Sequence, residues 1–347
     1  MTKHIVAGTT RIGMHDSKGT MTTEASIPVR AACNALVTFK PTASILSELV
    51  VEHLSNGQLL ARESRRLDRG ASSLKIKTHP EASHIVCSLR TAGKTIRKAR
   101  FEVDCGERIE PTGKNFIVIG AMKAGTTTLF HLLKQHPALC RTYAELPGIS
   151  FTKEINYFNK LYQENDTDLH YDWRFPFDPE THAWTLDVSP NYAKLPRTRA
   201  VPARIAKLAG ETKLVYILRE PVDRIESNLA HKIRKKAKPP SWKICTQMSR
   251  YALHMDRFTK HIPRENILLL DFHQLTADPA AVQIQICDFL GIDHFVAKTG
   301  IHNKRGVKFQ LDAAKRIELA ETLRPDVKLL FNRYGFKPAK RWLENWS

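Results

Sequence analysis

Two glycines, Gly120 and Gly125, bracket a lysine, Lys123, and lead into three hydroxyls, Thr126, Thr127 and Thr128, within NFIVIGAMKAGTTTLF (115–130). Residues of these types at this spacing suit an anion. The glycines let the chain turn tightly and let a phosphate approach the backbone. N–H groups of residues 121–127, with the N-terminus of a following helix, make a cradle for it, and the threonine hydroxyls face its oxygens. The glycine spacing is that of the nucleotide-triphosphatase loop G-x-x-x-x-G-K-[ST], where lysine directly follows the second glycine. Here Thr126 takes that place and the lysine lies upstream. The geometry that serves a triphosphate and its magnesium is thereby lost. A lysine at 123 instead suits neutralising charge on a departing phosphate. The alternative is a tight strand-to-helix turn with an incidental lysine.

Such a loop needs a strand to deliver it and a helix to receive it. FIVIG (116–120) is a continuous apolar run suited to a strand buried on both faces, and TTTLFHLLKQHP (126–137) reads as a helix ended by Pro137. KLVYILREPVDRIESNLAHKIRKK and NILLLDFHQLTADPAAVQIQICDFLGI repeat the pattern, each a buried strand feeding a helix. The rhythm predicts an α/β fold: a P-loop-like parallel sheet with helices on both faces and ligands at the carboxyl ends of its strands. That domain is expected over 111–347. Before it, short apolar runs alternate with turn signals such as Asn56-Gly57. They predict a small all-β, sandwich-like domain over 26–110. Residues 1–25, polar and threonine-rich, read as a flexible tail, and CGERIEPTGKN (105–115) reads as a linker.

The 347 residues carry 54 basic and 35 acidic side chains, a net charge of +19, which points to an anionic ligand. Nucleic acid, a membrane surface, acidic glycans and nucleotides all fit the charge. No apolar run approaches the eighteen residues of a membrane span, and the N-terminus lacks the pattern of a secretory signal. The six cysteines form no C-x-x-C pair, and the fifteen histidines form no H-E-x-x-H. No metal site is expected, and the simplest address is the reducing cytoplasm.

At four places in order the residues resemble one family. GAMKAGTTTLFHLLKQHP is similar to the 5′-phosphosulfate loop of sulfotransferases that use 3′-phosphoadenylyl sulfate (PAPS). FTKEINYF (151–158) resembles the K-E-x-x-[FY]-F segment of their heparan-sulfate-type branch. LVYILREPVDRIESNL (214–229) resembles the 3′-phosphate-binding strand and helix, and the 267–292 stretch resembles the strand and D-P-x-x-x helix that follow. The resemblance implies PAPS as sulfuryl donor and adenosine 3′,5′-bisphosphate as product, with no metal. It implies that Lys123, Ala124, Gly125, Thr126, Thr127 and Thr128 hold the 5′-phosphate side, with Lys123 also stabilising the bridging oxygen as the product departs. Arg219 and Ser227 would grip the 3′-phosphate, and Lys304, Arg305 and Gly306 of NKRG would close over the cofactor. Glu154 would be the base that takes the acceptor's proton, with Lys153 beside it on the acceptor. The alternatives are an exposed Lys153–Glu154 ion pair, a salt bridge from Arg219 to Glu220 or Asp223, and a solvated basic turn at 303–306.

One segment departs from the family. Where heparan-sulfate enzymes carry E-K-[ST]-P, DVSPNY (187–192) has Val188 at the lysine position. Asp187, Ser189 and Asn191 are candidates for the acceptor cleft, with a helix cap before Pro190 as the equal alternative. The basic run HKIRKKAKPPSWK (231–243) is either a solvated face or a guide for an acidic acceptor. The expected function is sulfuryl transfer to a hydroxyl or amine of an acidic or glycan acceptor. A P-loop kinase is disfavoured by the displaced lysine, a degenerate binding protein by the joint presence of Lys123, Glu154, Arg219 and Ser227. Nucleic-acid binding has only the charge behind it.

Overall fold

The computed structural model describes residues 5–7, 9–12, 21–29, 31, 33–39, 47–67, 73–91, 101–108, 112–142, 154–196, 198–208, 210–297, 309–339, 342 and 346. Lys153 and the 304–306 loop lie outside these residues. The chain divides into two compact units.

The first unit is built from β1 (Ile5–Ala7), β2 (Thr9–Ile12), β3 (Met21–Pro28), β4 (Cys33–Phe39), β5 (Ser47–Ser55), β6 (Gln58–Arg66), β7 (Ser73–Lys77), β8 (His84–Thr91) and β9 (Phe101–Arg108). They form two antiparallel sheets, ordered β1-β9-β4-β7 and β2-β3-β8-β5-β6. Alternation sets the inward face. Cys33, Ala35, Val37 and Phe39 of β4 are buried while Leu36 is exposed, and β8 turns Ile85, Cys87 and Leu89 inward. Residues of both sheets contribute to one buried cluster. Asn56 and Gly57 join β5 to β6 with φ of 48° and 80°, as a two-residue hairpin turn of the I′ kind demands.

Residues 1–25 are not simply a tail: β1, β2 and the start of β3 lie within them, paired with β9, β3 and β8. Their threonines read as loop polarity, but threonine is β-branched and favours strands. The linker also shortens, since β9 runs to Arg108 and the next strand starts at Lys114.

The second unit opens with β10 (Lys114–Gly120), whose Phe116, Ile117, Val118 and Ile119 are wholly buried. Then come α1 (Thr126–Leu133), β11 (Leu139–Arg141) and a π-helical turn at Tyr157–Leu161. At 164–177 the chain rejoins the first unit through α2 (Asp168–Asp172). There Trp173 Nε1 donates to the Lys77 carbonyl at 2.7 Å, and Lys77 Nζ donates to the Phe175 carbonyl at 2.9 Å. Back in the second unit follow β12 (Trp184–Val188), α3 (Val201–Ile205), β13 (Glu211–Leu218), α4 (Pro221–Arg234), α5 (Trp242–Gln247) and α6 (Tyr251–Phe258). β14 (Ile267–Asp271), α7 (Phe272–Ala277), α8 (Pro279–Leu290) and α9 (Ala313–Tyr334) complete it. The sheet is parallel, ordered β11-β12-β10-β13-β14. β10 takes the middle, with later strands added on either side. That is a topological switch point, where a crevice opens at the carboxyl ends of the strands.

Candidate functional site

The loop between β10 and α1 lies at that crevice. Lys123 and Gly125 both take left-handed backbone, with φ of 70° and 86°. A lysine rarely adopts this conformation, and its presence in a ligand loop is the kind of strain that functional sites retain. Gly125 has a second constraint, because a Cβ there would come within 2.9 Å of the Phe272 ring. Only glycine lets the loop lie so close to α7.

Gly125 is the N-cap of α1, with no side-chain cap and no acidic residue in the first turn. Most other helices of this unit are supplied with one. Glu220, Ser241, Asp271, Asp278 and Asp312 cap α4, α5, α7, α8 and α9, and α6 receives the Asp326 carboxylate on Ala252 N and Leu253 N. The first-turn N–H groups of α1 and the positive end of its dipole thus face the loop of Lys123. Ala124 and Thr126 are buried there, and Thr127 and Thr128 are half-buried.

The electrostatics around the loop are dominated by clustered cations. Burial, then the charges of Arg234 and Lys235, pull the Lys123 ammonium down to about 8, with Glu154 acting in the opposite sense. His231, one turn beyond Ser227 on α4, is held at about 4 by burial and then by Lys123 and its cationic neighbours. Its Nδ1 accepts from Arg234 Nη2 at 3.0 Å, so the ring is neutral near pH 7. The end of α4 thus turns part of the 231–243 basic run toward the loop.

Arg219 follows the last residue of β13. Its Nη1 donates to the Lys123 carbonyl at 3.3 Å, and its guanidinium lies 4.8 Å from the centre of the Phe272 ring. Tyr251 donates its hydroxyl to the Arg219 carbonyl at 2.8 Å. Glu220 accepts from Val222 N and Asp223 N, and Asp223 pairs with Arg316 at 3.2 Å. Ser227 is half-buried on α4.

Glu154 is half-buried beside this cluster, its Oε2 accepting from Asn191 Nδ2 at 3.2 Å. Asp187 and Ser189, expected on the surface of an acceptor cleft, are fully buried. The Asp187 carboxylate accepts from Ser189 Oγ at 2.6 Å and from the Tyr192 hydroxyl at 2.8 Å. A carboxylate at the end of a central strand needs such donors. Both side chains are thus buried and hydrogen-bonded within the protein.

The structure brings Lys123, Arg219, Glu154 and Asn191 to one end of the sheet. It also brings His231 and Phe272, which the sequence reading passed over. His231 stands four positions after Ser227, on the same helix face, so helical spacing carried that signal. Phe272 had none, because its role depends on where α7 lies. His131, the other histidine near the loop in sequence, sits in the last turn of α1, away from its N-terminus. Among the described residues, no group of three or more His, Cys, Asp or Glu is placed to hold a metal ion.

Residues 115–296 match the Sulfotransferase family. Mouse (Mus musculus) heparan sulfate glucosamine 3-O-sulfotransferase 3B1 is 27% identical over 198 residues, covering 52% of this chain and 46% of that protein. Human (Homo sapiens) bifunctional heparan sulfate N-deacetylase/N-sulfotransferase 3 is 29% identical over 202 residues, covering 51% of this chain and 22% of that one. The chain thus spans less than half the length of these relatives. Among solved structures, the sulfotransferase from Alicyclobacillus acidocaldarius superposes with a TM-score of 0.52 at 23% identity, over 66% of this chain and 98% of that one, a likeness of fold. With its displaced lysine, its parallel sheet and more than half its length matched, the chain belongs to the sulfotransferase family.

Proposed function

We propose that the chain transfers the sulfuryl group of PAPS to a carbohydrate hydroxyl or amine. The observation that carries this reading is the placement of a partly desolvated lysine and a carboxylate together beside an uncapped helix N-terminus. The residues fit the donor. The α1 N-terminus and Lys123 suit its 5′-phosphate, and Arg219, with Ser227, suits its 3′-phosphate, since arginine binds phosphate in bidentate fashion. Lys304, Arg305 and Gly306 are assigned to the same nucleotide, and Lys153 to the acceptor.

Glu154 takes the proton of the acceptor as its oxygen or nitrogen forms a bond to sulfur. Lys123 neutralises the charge that develops on the bridging oxygen as the bond between sulfur and that oxygen breaks. The helix N-terminus holds the phosphate in line, so that positioning supplies much of the rate. The donor brings an activated sulfuryl group, and the step requires no metal. Relatives named for heparan sulfate support a glycan acceptor, while Val188 at the family's lysine position weakens the case for heparan sulfate itself.

The test is incubation with PAPS carrying a radiolabelled sulfuryl group and a panel of glycans with free hydroxyls or amines. Label should move to at least one glycan. Donor binding without transfer to any acceptor would favour a non-catalytic binding protein.

A further inference from the structure

Glu154 lies on neither a strand nor a helix, and residues 154–156 lead into the π-helical turn. Something other than regular backbone must fix its carboxylate. We propose that Asn191 is a positioning residue for Glu154, clamping the carboxylate in the frame of the strand that delivers Lys123; this rests on the sulfotransferase reading above.

The clamp begins with the two hydrogens of one amide. Asn191 Nδ2 donates to Glu154 Oε2 at 3.2 Å and to Asn156 Oδ1 at 3.0 Å. An amide nitrogen has two donors, and both are used. Asn156 completes the bracket. It is buried and left-handed, with φ of 53°, a conformation asparagine tolerates better than most residues. Its Nδ2 donates to the Glu154 carbonyl at 3.1 Å, and its backbone N donates to Ser189 Oγ at 3.0 Å. The Glu154 side chain is thus held by Asn191 of the 189–193 turn, and its carbonyl by Asn156, which is itself bonded to Ser189 of that turn.

That turn is itself pinned. Ser189 N donates to the Val118 carbonyl at 3.1 Å and Ala193 N to the Ile119 carbonyl at 3.0 Å, both on β10. The buried Asp187 carboxylate fixes Ser189 and Tyr192. β10 ends three residues before Lys123, so base and lysine share one rigid reference. The residue type follows from this geometry. Aspartate has no donor and would set a second carboxylate against Glu154, and serine has a single donor.

The test compares Asn191→Ala and the isosteric Asn191→Asp with the native chain. Turnover should fall roughly 10–100-fold, the scale of a misplaced reacting group. The dissociation constant for adenosine 3′,5′-bisphosphate should stay within about twofold, because the clamp does not touch the nucleotide loop. In a Glu154→Gln background, Asn191→Ala should cost less than about twofold, since there is no base left to position. A merely structural residue would cost the same in both backgrounds. Side-chain couplings of Glu154, read by NMR on chain labelled with 13C-glutamate, should show one rotamer in the native chain and averaging in Asn191→Ala. Equal losses in both backgrounds, or an unaveraged Glu154 rotamer in Asn191→Ala, would overturn the proposal. The NMR measurement needs no turnover. If no acceptor is sulfated yet the rotamer averages, the clamp stands and the sulfotransferase reading fails. Should Asn191→Ala not fold, Asn191→Asp carries both readouts.

Discussion

Lys123 combines a left-handed backbone with an ammonium drawn down to about 8, so its charge is the first property of the loop to change with pH. On the proposed reading this ammonium meets a phosphate, and since it is lost as pH rises through about 8, affinity should weaken on the alkaline side. With only the protonated form competent, the dissociation constant for adenosine 3′,5′-bisphosphate should rise about tenfold between pH 7 and pH 9. In Lys123→Arg that dependence should disappear, because guanidinium stays protonated throughout the range. Calorimetric titrations at both pH values check this, and an unchanged slope in the arginine variant would remove Lys123 from the site. Gly125 is constrained independently. Gly125→Ala meets both a positive φ and the Phe272 ring at 2.9 Å, and should destabilise the fold by roughly 1–3 kcal/mol. Urea denaturation measures that loss.

At the scale of elements, α4 carries both Ser227 and the basic end that faces Lys123, so its N-terminal anchor matters. Glu220 caps it from complete burial, accepting from Val222 N, Asp223 N and Trp346 Nε1. Burial pushes its carboxyl up to about 7, against 4.5 for an ordinary glutamate. Between those values the folded chain holds a proton that the unfolded chain has released, so this group's contribution to stability falls as pH rises from about 4.5 to 7. The difference in unfolding free energy between the native chain and Glu220→Gln should therefore move by about 2–3 kcal/mol between pH 4.5 and pH 7.5, in favour of the variant at the higher pH. A constant difference would mean that the cap does not titrate in this window. The strands around this helix were legible in the sequence, because β10 and β13 are unbroken apolar runs that only a sheet covered on both faces accommodates. The threonine-rich strands near the N-terminus were not, since polarity masked their β propensity. The link from Asn191 to Glu154 was not legible either. The two lie 37 positions apart, and only the docking of the 154–156 segment on the turn after β12 brings them together.

At the scale of the whole molecule, the division of the chain is not a simple cut. Residues 164–177 leave the α/β unit and join the first unit, where Trp173 and Phe175 are buried and bonded to Lys77. A chain beginning at Thr112 would leave those aromatic side chains uncovered. It should aggregate more readily than the full chain, whereas removal of 164–177 as well should restore solubility. Light scattering on the two truncated chains distinguishes these outcomes. The central claim of the proposed function is that the α/β unit supports one reaction, with Lys123 on the donor and Glu154 on the acceptor. Its most direct test is Glu154→Gln, assayed for initial rate of sulfuryl transfer and for affinity toward adenosine 3′,5′-bisphosphate. A general base is worth roughly 10²–10⁴-fold, so turnover should fall by that factor while nucleotide affinity holds within about twofold. A variant that kept more than about a tenth of native turnover, well short of a general-base loss, would contradict it.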